Sequence, residues 1–154
     1  MIIGKNYKNW NGAIPGMNIE MKTFDLSELI LLPKICDPRG NLTFIQFPQQ
    51  VPFEIERVFW TYNVPSGEVR GGHAYKTQHE VIVAMSGSFD VIVKLKNGDV
   101  EKISLNRGDI GIYLPPRSWR HLENFSTNAF SLHLSSNTFD ENDYIRDFDL
   151  INQR

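Results

Sequence analysis

Apolar and polar residues alternate with a period of two through much of this chain, the signature of half-buried strands. Phe89, Val91, Val93 and Leu95 share one face, with Asp90 and Lys94 on the other. Phe130, Leu132 and Leu134 share a face opposite Ser131, His133 and Ser135. The same reading assigns strands to 42–47, 54–63, 80–85, 88–95, 100–105, 110–114 and 129–135. Asn97-Gly98 is the strongest short hairpin signal. Ser86-Gly87 and Asn106-Arg107-Gly108 mark further tight turns. Strands at this spacing, without helices between them, predict an all-β sandwich or barrel. The pattern changes after Asn137, where Asp140, Glu141, Asn142 and Asp143 would cap and charge a short C-terminal helix ending near Asn152. Tyr144, Phe148 and Ile151 would share one side of it. Residues 1–20 follow neither period and are read as an N-terminal extension, with one domain over 21–154.

Composition narrows the function classes. The 154 residues carry 16 basic and 18 acidic side chains, a net charge of -2, which argues against a sequence-indifferent nucleic-acid binder. No apolar run approaches the roughly 20 residues of a membrane span. The first residues are too polar for a secretory signal, and a single cysteine, Cys36, rules out an intrachain disulfide. The expected setting is the cytoplasm, with neither membrane nor nucleic acid as a partner.

The chemistry concentrates between Gly67 and Asn124. Gly67, His73-Ala74-Tyr75, Glu80 and Gly87 form one spaced set, and Gly108, Pro115, Arg117, Arg120 and Asn124 a second. Together they resemble the two signatures of the cupin superfamily, which implies a jelly-roll (double-stranded β-helix) barrel. In metal-binding cupins these signatures supply three histidines and a carboxylate. Here the corresponding positions hold His73, Tyr75, Glu80 and Arg120. A phenol titrates near 10 and is a poor ligand for a zinc-like ion at neutral pH, and a guanidinium repels a cation. No metal is expected. His79 and His121 stand one residue from signature positions and would face away from the site. They and His133 are read as surface or satisfied histidines. What remains is one imidazole and one phenol, two apart on a strand, amid Arg39, Arg57, Arg70, Lys76 and Arg120. Such an inventory suits an anionic, oxygen-rich substrate, because arginine forks bind diphosphate and imidazole moves protons near neutrality.

Five motifs carry a more specific resemblance: Asp37-Pro38-Arg39-Gly40-Asn41-Leu42, Arg57-Val58-Phe59-Trp60, Arg70-Gly71-Gly72-His73-Ala74-Tyr75-Lys76, Trp119-Arg120 and Asp140-Glu141-Asn142-Asp143-Tyr144-Ile145-Arg146. In order and separation they are similar to the WxcM-like sugar-nucleotide 3,4-ketoisomerases, typified by dTDP-4-keto-6-deoxyglucose 3,4-ketoisomerase. The resemblance spans about Met21 to Leu150. It implies a homodimeric jelly roll that uses no metal and no redox cofactor. It implies proton transfer from C3 to C4 of a keto-sugar through an enediol, in the service of deoxysugar and polysaccharide biosynthesis. His73 would be the principal base and Tyr75 a hydroxyl donor. Arg70 and Lys76 would hold the diphosphate or polarise sugar oxygens. Arg57 would line the pocket, Trp60 or Phe59 would stack on the base, and Arg39 and Arg120 would contact substrate. Three features depart from the family. Tyr75 replaces a second histidine, and Phe59 replaces a frequent tyrosine. Arg39 matches one stereochemical subgroup while Arg120 matches the other, so the C4 configuration of the product stays open. A cupin sugar epimerase, and a sugar-nucleotide-binding cupin of altered or lost activity, are the alternatives.

Overall fold

The computed structural model describes residues 8–9, 27–95 and 97–152. Thirteen strands follow one another: β1 (Lys8–Asn9), β2 (Glu28–Leu31), β3 (Lys34–Ile35), β4 (Leu42–Thr43), β5 (Arg57–Tyr62), β6 (Arg70–Tyr75), β7 (Glu80–Ser86), β8 (Phe89–Lys94), β9 (Val100–Leu105), β10 (Ile110–Leu114), β11 (Trp119–Glu123), β12 (Phe130–Ser135) and β13 (Tyr144–Ile145). One sheet has the order β1-β2-β10-β7-β12-β5, the facing sheet the order β13-β6-β11-β8-β9, and β3-β4 form a small ribbon. All ladders are antiparallel except β1 on β2. Two facing antiparallel sheets with strands exchanged between them make the expected cupin jelly roll. The extension expected over 1–20 lies outside the described residues apart from Lys8–Asn9, whose backbone pairs with Ile30 and Leu31. No helix among the described residues is long and apolar enough to cross a membrane.

The alternation on β8 places Phe89, Val91 and Val93 in the core between the sheets, with Ile82, Ala84, Ile103, Leu105, Ile112, Leu114 and Leu122. Central strand β7 is buried on both faces. Its Val81 and Val83 point the other way, into a second cluster with Val51, Phe53, Tyr113 and Leu134, beneath the segment that leads into β5. That is why β7 reads as a continuous apolar run rather than an alternating one.

Three expectations need correction. The strand at 42–47 ends at Thr43, because the chain turns where Gln50 bonds back to Gln46 through both backbone and side chain. On β12 the polar row is the inner one: Ser131, His133 and Ser135 are 0%, 3% and 0% exposed, whereas Phe130 and Leu132 face outward and are only partly covered. The C-terminal helix is absent. Two single 3-10 turns, Glu141–Asp143 and Phe148–Leu150, flank β13 instead. Asp140 and Asp147 each cap the amide two residues on, so each turn is begun afresh. Between them, the Asp143 carboxylate accepts from the Thr77 and Gln78 amides, and its carbonyl accepts from Lys76 N. These bonds draw the segment onto β6 as a strand.

Candidate active site

β6 is built around a bulge. His73 pairs with Arg120 of β11, but Arg70 pairs with Leu122, so Gly71 and Gly72 on β6 lie opposite the single residue His121 on β11. Gly71 takes up the extra length at φ 69°, a conformation that favours glycine. The bulge turns the Gly71 carbonyl onto Arg120 Nη1, 2.6 Å away. Beyond it, strict alternation sets His73 and Tyr75 on the inner face and Ala74 on the outer one.

Beneath them lies a buried ionic network. Arg120 and Glu80 are each almost wholly buried, with side chains 3% and 2% exposed. Arg120 Nη2 donates to Glu80 Oε2 at 2.8 Å and Oε1 at 3.0 Å, and Nε reaches Oε2 at 3.1 Å. Glu80 Oε1 also meets His133 Nδ1 at 2.9 Å, and His133 Nε2 meets Ser131 Oγ at 3.0 Å. Phe59 stacks on His133 at 4.5 Å. Burial opposes the charge on Glu80, but Arg120 and the His133 hydrogen bond outweigh it and hold the carboxyl well below its ordinary value. Every strong partner of the pair is thus internal, which is the condition under which a buried charge is tolerated.

Above the network three rings meet. His73 lies 4.8 Å from Tyr75 edge-on and 4.8 Å from Tyr144, and the two phenol rings are also 4.8 Å apart. Tyr75 Oη donates to Tyr144 Oη at 3.4 Å. Tyr144 comes from β13, which pairs Tyr144 with Tyr75 and Ile145 with Ala74. Ala74, Ile145 and Ile151 pack together behind the sheet and pin this short strand. The guanidinium of Arg120 lies 5.4 Å from the Tyr75 ring, and that of Arg146 4.6 Å from the Tyr144 ring. Burial, reinforced by the Arg120 charge, lowers the His73 pKa to about 3, so the imidazole is neutral at physiological pH. Its Nε2 is buried and has no hydrogen-bond partner among the described residues. Burial, then the Glu80 charge, raises the Tyr75 pKa, so its phenol stays protonated.

The structure gathers His73, Tyr75 and Arg120, with Arg57 at the edge of the group. Arg57 donates to Gln78 Oε1 at 3.0 Å and lies over the Phe59 and Phe139 rings, and Phe139 in turn meets Tyr144 at 6.0 Å. Other expected residues stand apart. Arg39 occupies the turn between β3 and β4, paired with Asp37, its side chain 90% exposed. Trp60 is on the outer face of β5, opposite to Arg57 and Phe59, and stacks on Phe130. It is 53% exposed, so within one chain it does not share a cavity with His73. Lys76 is spent on the Asn142 carbonyl at 2.6 Å. Arg70 is exposed at the start of β6. Arg120 is committed to Glu80 and Gly71 rather than free to grip a diphosphate. The plain readings of three histidines hold: His79 bonds Tyr113 at 2.7 Å, His121 bonds Glu123 at 3.2 Å, and His133 is buried and satisfied.

Tyr144 and Arg146 were missed as members of the group. The signal was present in the Asp140–Arg146 motif, but a helical reading turned Tyr144 toward Phe148 and away from β6. A cupin metal does not fit this centre. Both Glu80 oxygens are taken by Arg120, which itself fills a ligand position, and among the described residues no three His, Cys, Asp or Glu side chains converge.

The family profile described as FdtA: WxcM-like, C-terminal, matches residues 25–153. The chain belongs to this family. It is 36% identical to TDP-4-oxo-6-deoxy-alpha-D-glucose-3,4-oxoisomerase of Aneurinibacillus thermoaerophilus over 124 residues, 80% of this chain and 88% of that one. Among solved structures it is similar to the WlaRB TDP-quinovose 3,4-ketoisomerase of Campylobacter jejuni, with a TM-score of 0.79 and 37% identity over 85% of this chain and 100% of that one. It is also similar to QdtA, a sugar 3,4-ketoisomerase of Thermoanaerobacterium thermosaccharolyticum in complex with TDP. There the TM-score is 0.79 and the identity 32%, over 84% and 93% of the two chains.

Proposed function

We propose that this chain is a 3,4-ketoisomerase of a TDP-linked 4-keto-6-deoxyhexose, working in the cytoplasm as a homodimer, without metal or redox cofactor. The observation that carries the reading is His73 Nε2: a neutral, buried ring nitrogen with no partner among the described residues, on the inner face of the barrel in a family whose named relatives are 3,4-ketoisomerases. In this reading His73 takes the proton from C3 beside the C4 ketone and returns it to C4, leaving the ketone on C3. Tyr75, kept protonated by burial, supports the hydroxyl side of the transfer without competing with His73 for the carbon proton. Arg57, the free basic residue Arg70 and, across a dimer, Trp60 are the groups left to meet the nucleotide. The homodimer is supported by Val58, Trp60 and Tyr62, exposed in a row on edge strand β5 at 46%, 53% and 57%.

An epimerase of the His and Tyr type needs acid and base on opposite faces of a sugar ring. His73 and Tyr75 lie side by side on one face of β6, which suits a suprafacial transfer between neighbouring carbons instead. The test is NMR of the purified protein with TDP-4-keto-6-deoxyglucose in deuterium oxide. The expected product carries the carbonyl at C3, with deuterium at C4 in the fraction of turnovers in which the proton held on His73 exchanges with solvent. An inverted centre with the carbonyl still at C4, or unchanged turnover in His73→Asn, overturns the reading.

A further inference from the structure

A 3,4-ketoisomerase must move two protons, not one. The carbon-bound proton goes from C3 to C4, and a hydroxyl proton goes from O3 to O4. A single imidazole accounts for the first. We propose that the Tyr144 hydroxyl carries the second, with Tyr75 and Arg146 as its positioning residues. The proposal rests on the ketoisomerase reading and deepens it.

Tyr144 has the placement such a group needs. Its ring sits 4.8 Å from His73, so one bound sugar carbon and its oxygen would meet both side chains. It is half-buried, whereas Tyr75 is 5% exposed, so Tyr144 is the phenol with access to a ligand. Its oxygen accepts from Tyr75, and among the described residues its own O–H has no acceptor, which leaves that proton for a substrate oxygen. At 3.4 Å the Tyr75 bond is long for an O–H···O contact, as catalytic hydrogen bonds are before substrate tightens them. Arg146 lies over the Tyr144 ring at 4.6 Å and is itself held by Glu141.

The steps balance. As His73 accepts the C3 proton, the C3–H electrons form the C3–C4 double bond, and the C4 carbonyl oxygen takes the Tyr144 proton. The intermediate is a neutral enediol facing an imidazolium and a Tyr144 phenolate. The Tyr75 hydrogen bond and the Arg146 charge stabilise that phenolate. The phenolate then removes the O3 proton, the C3 carbonyl forms, and C4 takes the proton from His73. Both side chains return to their starting forms, and no oxidant or second reactant is consumed. The same logic explains a tyrosine at position 75: a donor that stays protonated, in contact with Tyr144, can support the phenolate without competing with His73 for the carbon proton.

The experiment compares wild type, Tyr144→Phe, Tyr144→His and Tyr75→Phe on TDP-4-keto-6-deoxyglucose, with circular dichroism and TDP affinity recorded for each. General acid–base groups contribute about 10²–10⁴ in rate. Tyr144→Phe is therefore expected to lose about 100-fold or more in kcat, with KM and TDP affinity within threefold of wild type. Tyr144→His, which can still carry a proton, regains part of that loss. Tyr75→Phe, which keeps the carrier and removes its donor, loses about tenfold. A Tyr144→Phe protein that keeps a third of wild-type kcat overturns the proposal while leaving the ketoisomerase reading intact. So does one whose deficit lies in KM alone, or a Tyr144→His protein no better than Tyr144→Phe. A wild-type protein that forms no 3-keto product removes both readings together.

Discussion

Replacing Arg120 by methionine should be among the most destabilising single changes available to this protein, and the deficit should depend on pH. The substitution removes three hydrogen bonds to Glu80 and one each to the Gly71 and His73 carbonyls. It leaves Glu80, 1% exposed, with only His133 as a partner among the described residues. Breaking one side of a buried pair costs about 3–5 kcal/mol, because the orphaned charge keeps its desolvation penalty. In the wild type, the Glu80 pKa is depressed by folding. Its contribution is therefore present above the unfolded carboxyl value and is lost as pH falls through the folded one. Without Arg120, burial works to raise that pKa, so the folded state of the variant favours a protonated Glu80. The deficit should be largest near pH 8 and shrink toward pH 5. Urea unfolding of wild type, Arg120→Met, Glu80→Gln and the double variant measures this as a thermodynamic cycle. The double variant should recover about 2 kcal/mol or more relative to Arg120→Met, since no unpaired charge remains. A cost under about 1 kcal/mol for Arg120→Met at pH 8, or a double variant less stable than that single one, would refute the account of Arg120 as the counter-charge that makes the interior habitable.

Three further outcomes follow from the same geometry. Because the His73 pKa is lowered to about 3, kcat/KM should show no acid limb near 6.5 between pH 5 and 8, and a limb there assigned to His73 by its variants would contradict the burial argument. Gly71→Ala should cost about 1–2 kcal/mol in urea unfolding, because φ 69° disfavours a side chain, while the new Cβ would make only an ordinary contact with Arg120 Nη1 at 3.5 Å. A cost below about 0.3 kcal/mol would mean that the bulge relaxes freely. Trp60→Glu should convert the proposed dimer to a monomer in sedimentation velocity without unfolding the barrel, and an unchanged sedimentation coefficient would move the interface off the outer face of β5.

The barrel was legible because its strands obey simple periods. Five of the expected strands, those at 80–85, 88–95, 100–105, 110–114 and 129–135, match β7, β8, β9, β10 and β12 to within a residue or so at each end. What misled was polarity used as a guide to direction. Ser131, His133 and Ser135 look like a solvent face and are the interior, because a carboxylate on the neighbouring strand needs partners there. Arg120 looks like a substrate fork and is a structural cation for the same reason. Short strands held by tertiary bonds, above all β13, leave no periodic trace over two residues. The acidic run before Tyr144 fits a helix start equally well, and only the Thr77 and Gln78 amides across the chain decide which structure it forms.

A metal in a cupin fixes its ligands by coordination, and its removal frees them. This barrel orders the corresponding side chains by a different route. The Arg120–Glu80 pair occupies two of the four signature positions, and its rigidity passes to the other two: to His73 through the β6–β11 pairing and the Gly71 carbonyl, and to Tyr75 through the guanidinium beneath its ring. The charge that would sit on a metal is thus placed under His73 and Tyr75, where it adds to burial in keeping His73 unprotonated. Such a centre suits proton transfer between adjacent carbons, which needs a fixed neutral base and fixed hydroxyl donors. On the proposed mechanism it also couples stability to activity, because a change that loosens Arg120 would unfix His73 as it weakens the fold.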